Sequence, residues 1–165
     1  MSETALGATI YAIDSSSLMD WQARFYPVDV FHGLVARMDG LVLAGLMLAP
    51  KLVREEIEIV GTAGLNRWCD QHAEMFVPNA DVLERAQAIQ GLFPGLLDPK
   101  AEYEEADAYV VALAESRGGT VVSQETSAAE KRNPKRTHYI PDVCRDLGLP
   151  CINLLGLMRR EKWSF

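Results

Sequence analysis

Histidine and cysteine are both scarce in this chain. Only His32, His72 and His138 occur, scattered, and with Cys69, Cys144 and Cys151 they form no set with zinc-ligand spacing. Three cysteines are an odd number, which excludes a simple disulfide framework; we expect reduced, core-type thiols in a cytoplasmic protein. Long apolar runs are missing too. The strongest, Leu41 to Pro50, is about half of what a bilayer crossing needs, and it reads as a helix end followed by a buried strand. The first residues show no basic stretch leading into an apolar core, so no leader peptide and no membrane partner are expected. A basic excess is also lacking. The net charge of −7 excludes a broad, sequence-blind nucleic-acid surface, although acids gathered to hold cations would inflate that negative count. Neither an internal repeat nor a GxxxxGK[ST] or GxGxxG phosphate-binding turn is present.

What is there is an ordinary globular composition, 48% hydrophobic and 24% charged, over a length that suits one domain spanning 1–165. Short apolar stretches alternate with helical periodicity. Strands are expected at Thr9 to Ile13, Leu46 to Leu48, Met75 to Val77, Gly119 to Ser123 and Cys151 to Leu154. Helices are expected at Ser15 to Asp20, capped by a hydroxyl, and from Pro27 with Val30, Phe31, Leu34, Val35 and Met38 inward. Others should run over Lys51 to Val60, Leu65 to Glu74, Asp81 to Leu92, Ala101 to Arg117, Pro141 onward, and Leu154 to Lys162. This alternation predicts an α/β fold, a three-layer α/β/α sandwich around a mostly parallel sheet of four to five short strands.

Several acids stand where acids are costly. Asp14 ends an apolar strand, and in open α/β sheets the carboxyl ends of strands are where ligands bind. Spacing residues by 100° puts Leu52, Val53, Ile57, Ile59 and Val60 on one helix face, with Glu56 near its middle. Glu56 then needs a partner, unless its carboxylate reaches solvent. Asp107 lies at the margin of the face formed by Tyr103, Ala106, Val110, Leu113 and Ala114, whereas Glu102, Glu104 and Glu105 suit the first helical turn. The fourth strand runs into Ser123, Gln124 and Glu125, and Asp142 sits in the first turn of its helix. Lys131, Arg132, Lys135 and Arg136 form a basic loop, either solvated or available to phosphates. Converging carboxylates repel, and oxygen-only ligands suit a hard cation such as Mg²⁺ or Mn²⁺, which serves phosphoryl chemistry.

Taken in order, the chain resembles the PIN-domain family of metal-dependent ribonucleases and bacterial toxins. Tyr11 to Ser16 is similar to that family's first strand and aspartate, Val53 to Ile57 to its second motif, and Ala106 to Ala114 to its third. Val121 to Glu125 looks like the fourth, although Ser123-Gln124-Glu125 replaces the usual Thr-x-Asp. Ile140 to Cys144 is similar to a PIN-like branch formerly described as a domain of unknown function.

The resemblance implies an Mg²⁺- or Mn²⁺-dependent endoribonuclease, the toxin of a toxin–antitoxin pair. Asp14, Glu56 and Asp107 would be its catalytic metal ligands, with Glu125 or Asp142 completing the site and Ser16 and Ser123 supporting it. RNA would be the substrate; a protein antitoxin and a second copy of the chain would be partners. The competing expectation is a PIN-like scaffold that binds RNA or protein without cutting. A haloacid-dehalogenase-like phosphotransferase is disfavoured, because Asp14 has no second aspartate two residues on.

Overall fold

The computed structural model describes residues 8–165. The start of the chain, on which the leader expectation rests, lies outside them. Five short strands, β1 (Tyr11–Ile13), β2 (Met47–Pro50), β3 (Phe76–Val77), β4 (Thr120–Val122) and β5 (Cys151–Ile152), form one sheet. Every pairing is parallel, in the order β3-β2-β1-β4-β5. Eight α-helices among the described residues cover it: α1 (Ser15–Met19), α2 (His32–Leu43), α3 (Lys51–Val60), α4 (Ala63–Gln71), α5 (Leu83–Leu92), α6 (Asp107–Ser116), α7 (Ile140–Leu147) and α8 (Leu154–Arg160). The expected α/β class with a three-layer build is therefore what the chain adopts, with the sheet wholly rather than mostly parallel.

The order of the strands positions the site. From β1 the chain crosses to β2 and β3 on one side, then returns to β4 and β5 on the other. Such a reversal leaves a crevice between the first strands of the two halves, outside their carboxyl ends. Here that crevice lies beyond Ile13 and Val122, which are paired in register. Helix α6 packs against β1, β2 and β4 with seven consecutive buried residues, Ala108 to Ala114. A helix apolar on all sides belongs in the interior, which makes α6 a rigid mount for its first residue, Asp107.

Several expected helices differ from the observed ones. The Ala101 to Arg117 helix begins only at Asp107, and Tyr103 is 51% exposed instead of facing inward. Glu105 Oε2 accepts from the Asp98 amide at 3.0 Å, and Asp98 Oδ1 accepts from the Lys100 amide at 2.9 Å. Side chains of that loop thus satisfy its backbone and compete with helix formation. Glu102, Glu104 and Glu105 consequently precede the helix, and Glu104 accepts the Tyr109 hydroxyl. Likewise, Pro27 opens a turn and not a helix: its carbonyl takes the Val30 and Phe31 amides, leaving Val30 64% and Phe31 36% exposed. Helix α3 is as expected in length, yet Ile59 and Val60 at its end are exposed.

Residues after α1 also depart from expectation. The helical run continues through a π-helical segment, Asp20–Phe25, which widens the turn and packs Trp21 edge-on against Trp68. The expected Leu65 to Glu74 helix is α4, followed by a separate turn at Ala73–Met75. Leu154 opens α8 and is not part of β5. Among the described residues, no helix is long and apolar enough to cross a membrane.

Candidate active site

Asp14 is the N-cap of α1, a role expected of a hydroxyl, and it is 3% exposed. Its extended backbone continues β1, and its amide donates to the Val122 carbonyl at 3.1 Å. Register then brings it opposite Ser123. The Ser16 and Ser123 hydroxyls each donate to Asp14 Oδ2 at 2.7 Å, and the Ser17 amide donates to Oδ1 at 2.9 Å. Burial pushes the Asp14 carboxyl above the usual range, and these serine hydrogen bonds hold it back.

Three further carboxylates share this end of the sheet. Glu56, on α3, keeps Oε1 buried without any hydrogen-bond partner. Its pKa is pushed up to about 7, first by burial and next by the Asp14 charge, with the Ala106 backbone opposing. Asp107 is held well above its ordinary value, chiefly by burial and then by Glu125 and Asp14; Arg136 works the other way. Glu125 is raised by burial and by Asp14, against the Ile140 amide that donates to its Oε2 at 3.1 Å. The Asp14 charge raises Glu56, Asp107 and Glu125, and Glu125 raises Glu56 and Asp107, so the four make one electrostatic cluster at the strand crevice.

Asp142 is differently employed. Its Oδ2 accepts the Ala128 and Tyr139 amides, both at 2.9 Å, and Arg145 lies 3.5 Å from Oδ1. As the third residue of α7 it completes a capping box while tying down the turn at Ala128–Glu130. Of the two candidates for the fourth position, Glu125 shares its electrostatics with Asp14 and Asp107, whereas Asp142 caps α7. Asp142→Ala should therefore cost roughly 2–4 kcal/mol in denaturant unfolding, because two largely buried amides lose their acceptor. Unchanged stability together with lost Mn²⁺ uptake would make Asp142 a ligand after all.

The donor set fits a hard cation in its chemistry. Carboxylates have about four acceptor positions, of which Asp14 spends three within the protein. Glu56 Oε1 is spare. Glu125 spends Oε2 on Ile140, and Asp107 spends Oδ2 on Arg136 at 3.1 Å. Each acid thus retains acceptor capacity that the protein does not use. The four are nonetheless not drawn around one point: among the described residues, no three Asp, Glu, His or Cys side chains form a ready ligand group.

Beside the cluster opens a cleft of about 540 Å³, lined in part by Ser16, Asp20, Arg24, Val60, Gln124 and Glu125. The sequence reading missed Asp20, Arg24 and Gln124. Gln124 ties the wall together, its amide donating to Ser16 Oγ at 3.3 Å and its Oε1 accepting the Leu154 amide at 2.8 Å. Arg24 pairs with Asp20 at 3.3 Å. The four-residue spacing from Ser16 marks Asp20 and Arg24 once the helical run extends past Asp20, whereas Gln124 carries no signal beyond its place in the fourth motif. The basic loop divides: Arg132 and Lys135 are exposed, Lys131 donates to Thr126 Oγ1 at 2.8 Å and sits 4.3 Å over the Tyr139 ring, and Arg136 points into the acids.

A family described as "Domain of unknown function (DUF4411)" matches residues 11–165, from β1 to the last residue. Neither the curated proteins nor the solved structures contain a match to the chain.

Proposed function

The chain belongs to this DUF4411 family, and we propose that it is a metal-dependent endoribonuclease of the PIN-like kind. One observation carries this reading: four carboxylates with unused acceptor capacity gather at the crevice where the strand order reverses. Asp14, Glu56, Asp107 and Glu125 would hold Mg²⁺ or Mn²⁺. When bound, such an ion supplies an activated water and charge stabilisation at a phosphodiester.

The chain's own residues do the positioning. Ser16, Ser17 and Ser123 fix the Asp14 carboxylate, and the Ile140 amide fixes Glu125. Glu56 titrates near neutrality, so its unpartnered Oε1 can hold or release a proton at working pH. The cleft beside Ser16 and Glu125 gives an RNA strand a path to these acids; Arg24 lines it, and the exposed Arg132 and Lys135 of the basic loop are free for phosphate contacts outside it.

The test is RNA cleavage with Mg²⁺ or Mn²⁺ by the wild type and by Asp14→Asn. We expect cleavage only by the wild type; equal rates would falsify the assignment. Growth arrest on expression, abolished by the same substitution, would extend the reading to a toxin silenced by a basic antitoxin segment, for which the net charge of −7 is complementary. A cytoplasmic setting agrees with RNA as substrate and with three free thiols. Homodimer formation is checked by light scattering, where a monomer at high concentration removes it.

A scaffold without cleavage is the second reading. It is favoured by the arginine already paired with Asp107. Calorimetry separates the two, since a scaffold takes up no Mn²⁺.

A further inference from the structure

Carboxylates buried together at one end of a sheet need a positive charge before any metal arrives. The chain brings one of its own. Arg136 reaches in from the basic loop, and its Nη1 donates both to Asp107 Oδ2 at 3.1 Å and to the Leu96 carbonyl at 3.0 Å. The guanidinium lies 5.2 Å from the Tyr139 ring centroid, and its charge also bears on Glu125 and Glu105. Its backbone is pinned in place. The Lys135 and Arg136 amides donate to the Tyr139 hydroxyl at 3.1 and 3.3 Å, while the Tyr139 amide is held by Asp142. Neighbouring Arg132 and Lys135 remain exposed, so this placement is particular to Arg136 and not a property of the loop's charge.

We propose that Arg136 is the site's tethered counter-ion, which neutralises Asp107 and Glu125 in the metal-free protein and which a divalent cation must displace in order to bind. The proposal rests on the metal reading above. A guanidinium has only donors and keeps its charge at every relevant pH, so it cannot leave the acids by losing a proton. It can only be exchanged for another cation. A divalent ion on Asp107 repels the arginine, whose other direct contacts are the Leu96 carbonyl and the Tyr139 ring face. The arrangement explains how Asp107 is tolerated beside Glu125 before a metal arrives: the guanidinium bonds the one carboxylate and its charge offsets the other.

Arg136→Gln keeps a donor for Leu96 but removes the charge. In EDTA we expect this variant to melt lower than the wild type, and by much less when Asp107→Asn is also present. By calorimetry it should bind Mn²⁺ several-fold more tightly than the wild type. Equal or weaker Mn²⁺ binding by Arg136→Gln, while the wild type binds, overturns the counter-ion role and leaves the metal reading standing. No Mn²⁺ uptake by either protein sinks the metal reading and the exchange together. In that case a retained coupling between Arg136 and Asp107 shows only a structural ion pair.

Discussion

On the nuclease reading proposed above, Asp107→Asn is expected to lower RNA cleavage by roughly three orders of magnitude while raising the melting temperature of the metal-free protein at neutral pH. The two changes have one cause. Asp107 opens α6, the most deeply buried helix, and its ionised form is disfavoured by burial, by Glu125 and by Asp14. Arg136 offsets part of this, yet the carboxyl remains well above its ordinary value, so repulsion and desolvation outweigh the ion pair. An amide of the same shape is not so penalised. Activity falls because a neutral amide no longer offers an anionic ligand oxygen to a cation. Single-turnover cleavage and thermal melts in EDTA, on the same preparations, check both. A variant that cleaves like the wild type removes Asp107 from the reaction; one that loses cleavage and also melts lower shows loss of fold and not of a ligand.

The fold was legible because its signals are local. Short apolar stretches such as Tyr11 to Ile13 and Thr120 to Val122, separated by periodic segments, determine a parallel sheet almost alone. The placement of Asp14 at a strand end followed from the same pattern. Features that hinge on contacts distant in sequence were not legible. Glu105 meets Asp98, and Arg136 meets Leu96 and Asp107, through a loop whose path no periodicity records. Ala101 to Ala106 reads as helix by spacing, but its acidic side chains are spent on loop backbone and on Tyr109. Asp142 illustrates the limit most directly. An acid in a first helical turn reads equally as a cap or as a free carboxylate, and only its two amide partners show Asp142 capping.

Glu56 leads to a prediction about pH. Its ordinary value of 4.5 rises to about 7 in the folded chain, mainly through burial and then through Asp14. Below pH 4.5 the group is protonated whether folded or not, and it adds no penalty. Between 4.5 and 7 the unfolded chain gives up this proton while the folded chain keeps it, so stability falls as pH rises. Above 7 both forms are ionised and the loss is complete, on the order of 2–3 kcal/mol. Asp14, Asp107 and Glu125 shift in the same direction, so their contributions have the same sign. Glu56→Gln should therefore melt like the wild type near pH 4 and distinctly higher at pH 8 in EDTA, with a shallower decline between. A wild type that gains stability over this interval, or a glutamine variant that declines in parallel, excludes the burden of a buried, unpartnered Glu56 Oε1. Mn²⁺ at pH 8 should return most of the lost stability to the wild type and little to the variant, because the charge that burdens the empty fold is the charge a cation would bind.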